Sequence, residues 1–222
     1  YLALSDSAGE PIKLIIGPWG HTPFAESHHR GEFMGQAAEI DLVALRVRWF
    51  DYWLKGIDTG ILDEPLVQLF ATGSDRWLSA DTYPLPQAEL TSLYLSSDNG
   101  ALPKGGGGRL SREARSPSTE FDAYVYDPGN PTPGPFGEFE DDLPGYEATL
   151  AGRGDLLVYE TPSFAEPVTV VGPISATLYA SSSARDTDWF VTLYQVSEEG
   201  ALSRYITRGM IRARFRDSLE IP

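Results

Sequence analysis

The sequence predicts a mostly-β protein: a strand-and-helix segment over residues 1–60, then a β-sandwich or jelly roll over residues 61–222. Three observations carry this. Residues 1–60 hold an apolar run that stops in a turn, Leu14-Ile15-Ile16-Gly17-Pro18-Trp19-Gly20-His21, and the clearest helical stripe of the chain. After Gly60 the chain changes to short β-branched and aromatic runs separated by Gly, Pro, Asn and Asp. Successive short strands without helices between them indicate a sandwich or jelly roll.

The elements follow in order. Pro11 to Gly17 reads as one strand, and its unbroken apolar run fits a buried strand of a parallel sheet. Thr22 to Gly35 is polar and reads as a loop. Ile40, Val43, Val47, Phe50 and Leu54 recur at steps of three and four, which predicts a helix with one apolar stripe. Trp49 and Trp53 widen that stripe. Gly56 after Lys55 supplies a stop with a cation in the last turn. A domain boundary is expected between Gly56 and Pro65. Beyond it Leu66–Thr72, Leu90–Ser96, Phe121–Tyr126, Leu156–Glu160, Val168–Ser182, Asp188–Val196 and Tyr205–Arg216 read as strands. The run Gly105–Gly108 lacks the Lys-Ser/Thr ending of a phosphate loop and reads as a hairpin tip. Asp127 to Glu147 is rich in Pro and Gly and reads as a long loop, either a functional wall or a surface loop whose aromatic residues pack locally.

Composition narrows the function. The formal charge of the 222 residues is −15, which repels nucleic acid and anionic membrane surfaces. Five Trp, eleven Tyr and ten Phe are enough aromatic payload to build a core, so the charge is not a sign of disorder. No cysteine is present, which excludes disulfides and thiolate chemistry but leaves the choice between cytoplasm and secretion open. The chain begins at Tyr1 and ends directly after a strand-like run, and it reads as an internal piece of a longer protein.

His21 is the candidate catalytic residue. Loops at the carboxyl ends of parallel strands are where open α/β sheets place their chemistry, and an imidazole with a pKa near 6.5 can take a proton at neutral pH. No Gly-x-Ser-x-Gly turn accompanies it, so the chain carries no nucleophile elbow. Adjacent His28 and His29 do not follow a zinc pattern and read as a solvated loop, and no metal or cofactor is expected. Asp186 and Asp188 share a strand face, which fits a structural turn better than a calcium or acid/base pair.

Several segments together resemble one family. They are Leu14–His21, Phe50–Gly56 (Phe-Asp-Tyr-Trp-Leu-Lys-Gly), Gly73–Trp77 with Tyr83–Pro86, Tyr124–Pro128, Leu178–Trp189 and Gly209–Arg216. In this order they resemble the carboxyl-terminal half of the cocaine-esterase and X-Pro dipeptidyl-peptidase group of serine hydrolases. The resemblance implies the last strand and helix of an α/β-hydrolase domain over residues 1–60. It implies a galactose-binding-like jelly roll over residues 61–222, with both ends cut short. It also implies a Ser-Asp-His triad of which only His21 falls in this chain, and a small-molecule ester or X-Pro peptide as substrate. Trp19, Phe136 and Phe139 become candidate substrate contacts, the last two through a loop that walls the acyl pocket. The competing reading is a non-catalytic β-sandwich, a carbohydrate-binding or interaction module. Oligomeric state is not legible.

Overall fold

The computed structural model describes residues 9–20, 26–29, 32–103, 107–115, 121–134 and 142–218. The chain is rich in strand with few helices, and its contacts divide it into two compact units. One comprises Tyr1–Leu90 with Val168–Pro173, the other Thr91–Pro167 with Ile174–Pro222.

The first unit is built on strands β1 (Leu14–Ile16), β4 (Val67–Ala71) and β5 (Arg76–Ala80), in the order β1-β4-β5. A small hairpin, β2 (His28–His29) and β3 (Glu32–Phe33), a 3₁₀ turn (Gln36–Ala38) and helix α1 (Leu42–Lys55) lie between β1 and β4 in sequence. β1 runs parallel to β4, with Leu14 opposite Val67 and Ile16 opposite Leu69. Two parallel strands joined through a helix are a βαβ unit, and the apolar Leu14–Ile16 run is what such a strand requires. β5 returns antiparallel, placing Trp77 opposite Phe70. Arg-Trp-Leu-Ser-Ala has no strong strand signal. A tight turn folds it back on β4, with positive φ at Gly73 (+82°) and Asp75 (+49°). Val67, Leu69 and Leu85 form the buried core, and Leu14, Leu78, Tyr83 and Val171 pack on it.

Asp41 caps α1 by accepting a hydrogen bond from the Ala44 amide at 2.8 Å. Gly56 ends the helix in the left-handed conformation, φ +67°. The helix forms where the periodicity predicts it, but the predicted stripe is not its packed side. Val43, Val47, Phe50 and Leu54 are between 52% and 77% exposed. Leu42, Leu45, Arg48, Trp49, Asp51 and Tyr52 are the half-buried positions. The helix is apolar on two opposite sides, and periodicity alone picks out only one of them. Below the packed side lies an ionic tie. Lys13, with its side chain 6% exposed, donates to Glu64 Oε2 at 2.7 Å, and Arg48 donates to Glu64 Oε1 at 2.6 Å. Burial works against the charge of Glu64, yet these two cations hold its carboxyl below the usual range. The tie fastens β1, α1 and the α1–β4 connection together.

The second unit holds β6 (Tyr94–Ser96), β7 (Gly108–Ser111) and β8 (Tyr159–Glu160) in one sheet of that order. It also holds helix α2 (Leu143–Ala151) and the long antiparallel pair β9 (Asp188–Val196) and β10 (Leu202–Arg212). Gly105 and Gly106 of the expected hairpin tip lie outside the described residues; Gly107, at φ +67°, precedes β7 and Gly108 opens it, where the Tyr159 ring occupies the place a side chain would take. The loop expected over Asp127–Glu147 gives way to α2 at Leu143. Pro144 and Gly145 disguise that helix, although proline is tolerated in a first turn and Asp142 caps the end by accepting from the Gly145 amide. Phe121–Tyr126 and Val168–Ser182 carry strand composition but join no ladder. Side chains hold the first of these instead. Asp122 accepts from Ser97 Oγ at 2.6 Å and from the Tyr159 hydroxyl at 2.7 Å.

Candidate functional site: the turn after the first strand

The turn Gly17-Pro18-Trp19-Gly20 follows β1 directly and leads to His21. Glycine at 17 is required because the Trp19 ring folds back over it, leaving only 2.5 Å to an ideal Cβ. The Trp19 indole N–H donates to the Ala38 carbonyl at 2.7 Å, and the Trp77 indole N–H donates to the Ala37 carbonyl at 2.7 Å. The two rings pack at 5.8 Å between centroids, and Trp77 meets Phe70 edge-on at 5.3 Å. Ala38 is fully buried. Gly35, at φ +93°, leads into the same 3₁₀ turn, with the Asp75 carboxylate 2.5 Å from its ideal Cβ. Trp19 therefore sits half-buried in a knot of aromatic rings and backbone carbonyls at the carboxyl end of β1. His21, Phe136 and Phe139 lie outside the described residues.

His28 faces Phe33 at 5.1 Å, and its Nδ1 lies 3.3 Å from Ser27 Oγ, a local arrangement within the hairpin. Among the described residues no group of three or more His, Asp or Glu is placed to hold a metal. Asp186 accepts from the amides of Arg214 (3.0 Å) and Thr187 (3.1 Å) and from the Arg214 guanidinium. Asp188 receives both Arg212 Nε (2.7 Å) and Nη2 (3.0 Å). Desolvation opposes the charge on Asp186, but Arg214 outweighs it, and Arg212 holds Asp188 below the ordinary range. Both are partners of arginine that brace the β9–β10 end; Asp186 accepts backbone amides as expected of it, whereas Asp188 lies in β9 rather than in a turn and is held by the Arg212 side chain.

A second cluster was not anticipated from the sequence. Arg153 donates through Nε to Asp155 Oδ1 at 2.7 Å and through Nη2 to the Asn130 carbonyl at 2.6 Å, while Thr132 donates to Asp155 at 2.8 Å. Asn130, Arg153 and Asp155, with Val125 and Asp127, line a shallow depression of about 400 Å³. Its only sequence signal is a pair of opposite charges flanking Gly154. Because the guanidinium is spent on Asp155 and Asn130, the cluster ties the described part of the 127–134 loop to the end of α2.

Residues 59–222 match the family described as the X-Pro dipeptidyl-peptidase C-terminal non-catalytic domain, and the chain belongs to that family. The whole chain aligns at 32% identity over 229 residues with the cocaine esterase of Rhodococcus sp. (strain MB1 Bresler). That alignment covers 100% of this chain and 39% of the relative, so the chain spans about two fifths of the relative's length. Among solved structures, an aminopeptidase from a marine sediment Thaumarchaeota archaeon superposes with a TM-score of 0.69 at 25% identity, covering 99% of this chain and 37% of that one. An α-amino acid ester hydrolase gives a TM-score of 0.61 at 22% identity over 95% and 37% of the two chains, a likeness of fold. The chain is thus the C-terminal part of a member of the cocaine-esterase and X-Pro dipeptidyl-peptidase group.

Proposed function

We propose that the chain is part of a serine hydrolase that cleaves ester or X-Pro peptide bonds, and that His21 is the imidazole of its Ser-Asp-His triad. The observation that carries this reading is the place of the His21 turn, straight after β1 in a βαβ unit. The 32% identity with an esterase along the entire chain supports it. In the mechanism His21 takes the proton of a serine hydroxyl as the serine attacks the carbonyl carbon, then returns it to the leaving group. A carboxylate behind the ring fixes its tautomer and stabilises the imidazolium. The serine and the acid lie before Tyr1 in this reading, so residues 1–222 alone do not turn over substrate.

Residues 1–60 supply the last strand and helix of the α/β-hydrolase domain, and residues 61–222 a galactose-binding-like jelly roll. The family match beginning at residue 59 supports that line. The exposed Val43–Leu54 face of α1 fits a helix that packs on a larger hydrolase core. Phe136 and Phe139 wall the acyl pocket. A second reading, a non-catalytic binding module, draws on the non-catalytic description of the matched family. The two readings separate on one substitution. In the full-length protein His21→Ala should lower kcat by several orders of magnitude, leaving a residual of about 10³–10⁴ over water from the oxyanion hole and binding. Near-normal esterase turnover in that variant removes His21 from the mechanism.

A further inference from the structure

We infer that Asn99 is a self-modification site, converted in the folded protein to aspartate and isoaspartate, and that the isoaspartyl form loosens the β6–β7–β8 sheet. The chain has two asparagines, and they stand in opposite contexts. Asn99 precedes Gly100, which has no side chain to shield its amide nitrogen. Asn130 precedes Pro131, whose nitrogen has no hydrogen to lose and cannot serve as a nucleophile. The structure leaves the first pair open to reaction. Asn99 is exposed in the bend after β6. Gly100 stands at φ +87°, and no atom lies within 4 Å of the place its Cβ would take, so a ring has room to close there. Among the described residues neither the Asn99 side chain nor the Gly100 amide has a hydrogen-bond partner. The neighbours on both sides are fixed. Ser97 donates to Asp122 at 2.6 Å, Arg115 pairs with Asp98 at 2.7 Å, and the Ala101 carbonyl accepts from the Val158 amide at 2.8 Å.

The chemistry needs only water. The Gly100 nitrogen gives its proton to hydroxide and attacks Cγ of Asn99. A bond forms between that nitrogen and Cγ, the Cγ–Nδ2 bond breaks, and the departing nitrogen takes a proton from water and leaves as ammonia. The product is a five-membered succinimide, which a second water opens at either carbonyl. Breaking the new N–Cγ bond gives aspartate. Breaking the original peptide bond gives isoaspartate, with the main chain rerouted through Cβ and Cγ. In sum, one asparagine and one water become one acidic residue and one ammonia. Both products set a new negative charge beside Asp98. The isoaspartyl form also adds an atom to the backbone just before Ala101, which is fully buried. Val158, which donates to Ala101, accepts in turn from the Gly108 amide of β7 at 2.7 Å. The lengthened backbone therefore pulls on the residue that links Ala101 to the sheet. None of this depends on the hydrolase reading.

The test ages the full-length protein and its Asn99→Gln variant at mildly alkaline pH and physiological temperature, then maps tryptic peptides by mass. Digestion in oxygen-18 water marks any conversion that happens in the digest itself. Asn99 falls in peptide 77–104 and Asn130 in peptide 116–153. The first should show exchange of the amide NH₂ for OH, faster as pH rises, while the second stays unchanged. Isoaspartyl methyltransferase with labelled S-adenosylmethionine should label the aged wild type and not Asn99→Gln. The rate should lie within about tenfold of that in a synthetic peptide of residues 95–103, because no opening step precedes the attack. A slower rate shows that the fold shields the pair and overturns the inference. The urea midpoint of the wild type should fall as isoaspartate accumulates, while aged Asn99→Gln keeps its midpoint. A midpoint that holds despite accumulated isoaspartate refutes the effect on the sheet, and so does an equal fall in both proteins.

Discussion

Gly108→Ala tests the packing of the second unit most directly. Gly108 is buried in β7 beside Tyr159 of β8. A methyl group there would lie 2.2 Å from Tyr159 Cδ1, 2.5 Å from Cε1 and 3.0 Å from the Ser96 carbonyl oxygen. Carbon atoms settle at about 3.5–4.0 Å, so the ring must move by more than about 1 Å. It is not free to do so, because its hydroxyl donates to Asp122 at 2.7 Å and Asp122 is held in turn by Ser97 at 2.6 Å. Burial and the adjacent Asp122 carboxylate push the Tyr159 phenol well above its ordinary pKa, so it remains a donor throughout the assay range. Overpacking costs about 1–3 kcal/mol. Losing a hydrogen bond to a charged acceptor adds about 1.5–3 kcal/mol, at the low end here because the site is only part-buried. The lower backbone entropy of alanine returns about 0.5–1 kcal/mol. The net expectation is a loss of about 2–3 kcal/mol, read from urea unfolding. The same substitution in a Tyr159→Ala background should cost less than about 0.5 kcal/mol, because the obstructing ring is gone. Equal costs in the two backgrounds would refute the reasoning.

Asp155 should make stability depend on pH. Hydrogen bonds from Arg153 hold its carboxyl below the ordinary range, with burial opposing and Thr132 assisting. A depressed folded pKa contributes fully above the unfolded value of about 3.9 and is lost as pH falls through the folded value. Asp155→Asn should therefore lower the urea midpoint at pH 7, and the gap from the wild type should close below about pH 4. A gap independent of pH contradicts the assignment. Val47→Lys with Leu54→Lys, at positions 52% and 77% exposed, should change the stability of this chain by no more than about 0.5 kcal/mol each and reduce its self-association in sedimentation. A loss above about 2 kcal/mol would mean that this face is covered. In the full-length protein Phe136→Ala and Phe139→Ala should change kcat/KM for a benzoyl ester by about 1–3 kcal/mol and leave an acetyl ester nearly unaffected. Parallel losses on both esters oppose a pocket role.

α1, β4 and β9 were legible because each depends on a pattern within one short segment: a helical period with its caps, and β-branched or aromatic runs between turn residues. What those segments touch was not legible. The Val43–Leu54 stripe shows why, since α1 has a second apolar side through Leu45, Trp49 and Tyr52, and pattern alone does not rank two faces. α2 was hidden by Pro144 and Gly145, residues that break a helix interior but are harmless in its first turn. β7 depends on a glycine whose purpose is visible only once Tyr159 lies over it. Val168–Ser182 shows the converse, since strand composition does not supply a partner strand. At the site, the turn and its histidine stand together in the sequence, whereas Trp77 joins them through a bond to a carbonyl 40 residues away. No local rule links such distant positions.

Val171 adds the last side chain packed on the core of Val67, Leu69 and Leu85, after the chain has left the first unit at Leu90 and returned at Val168. Synthesis runs from the amino terminus, so that core waits on the ribosome. At about 5–20 residues per second, the roughly eighty residues from Leu90 to Val171 take about 4–16 s to appear. The equilibrium penalty of so long a closure is small, about 0.6 kcal/mol for each doubling of loop length. The delay itself is long against helix formation or collapse, which finish within about 100 μs. Through that interval the nascent sheet holds an unsealed apolar surface. Slower translation across residues 91–167 lengthens that interval.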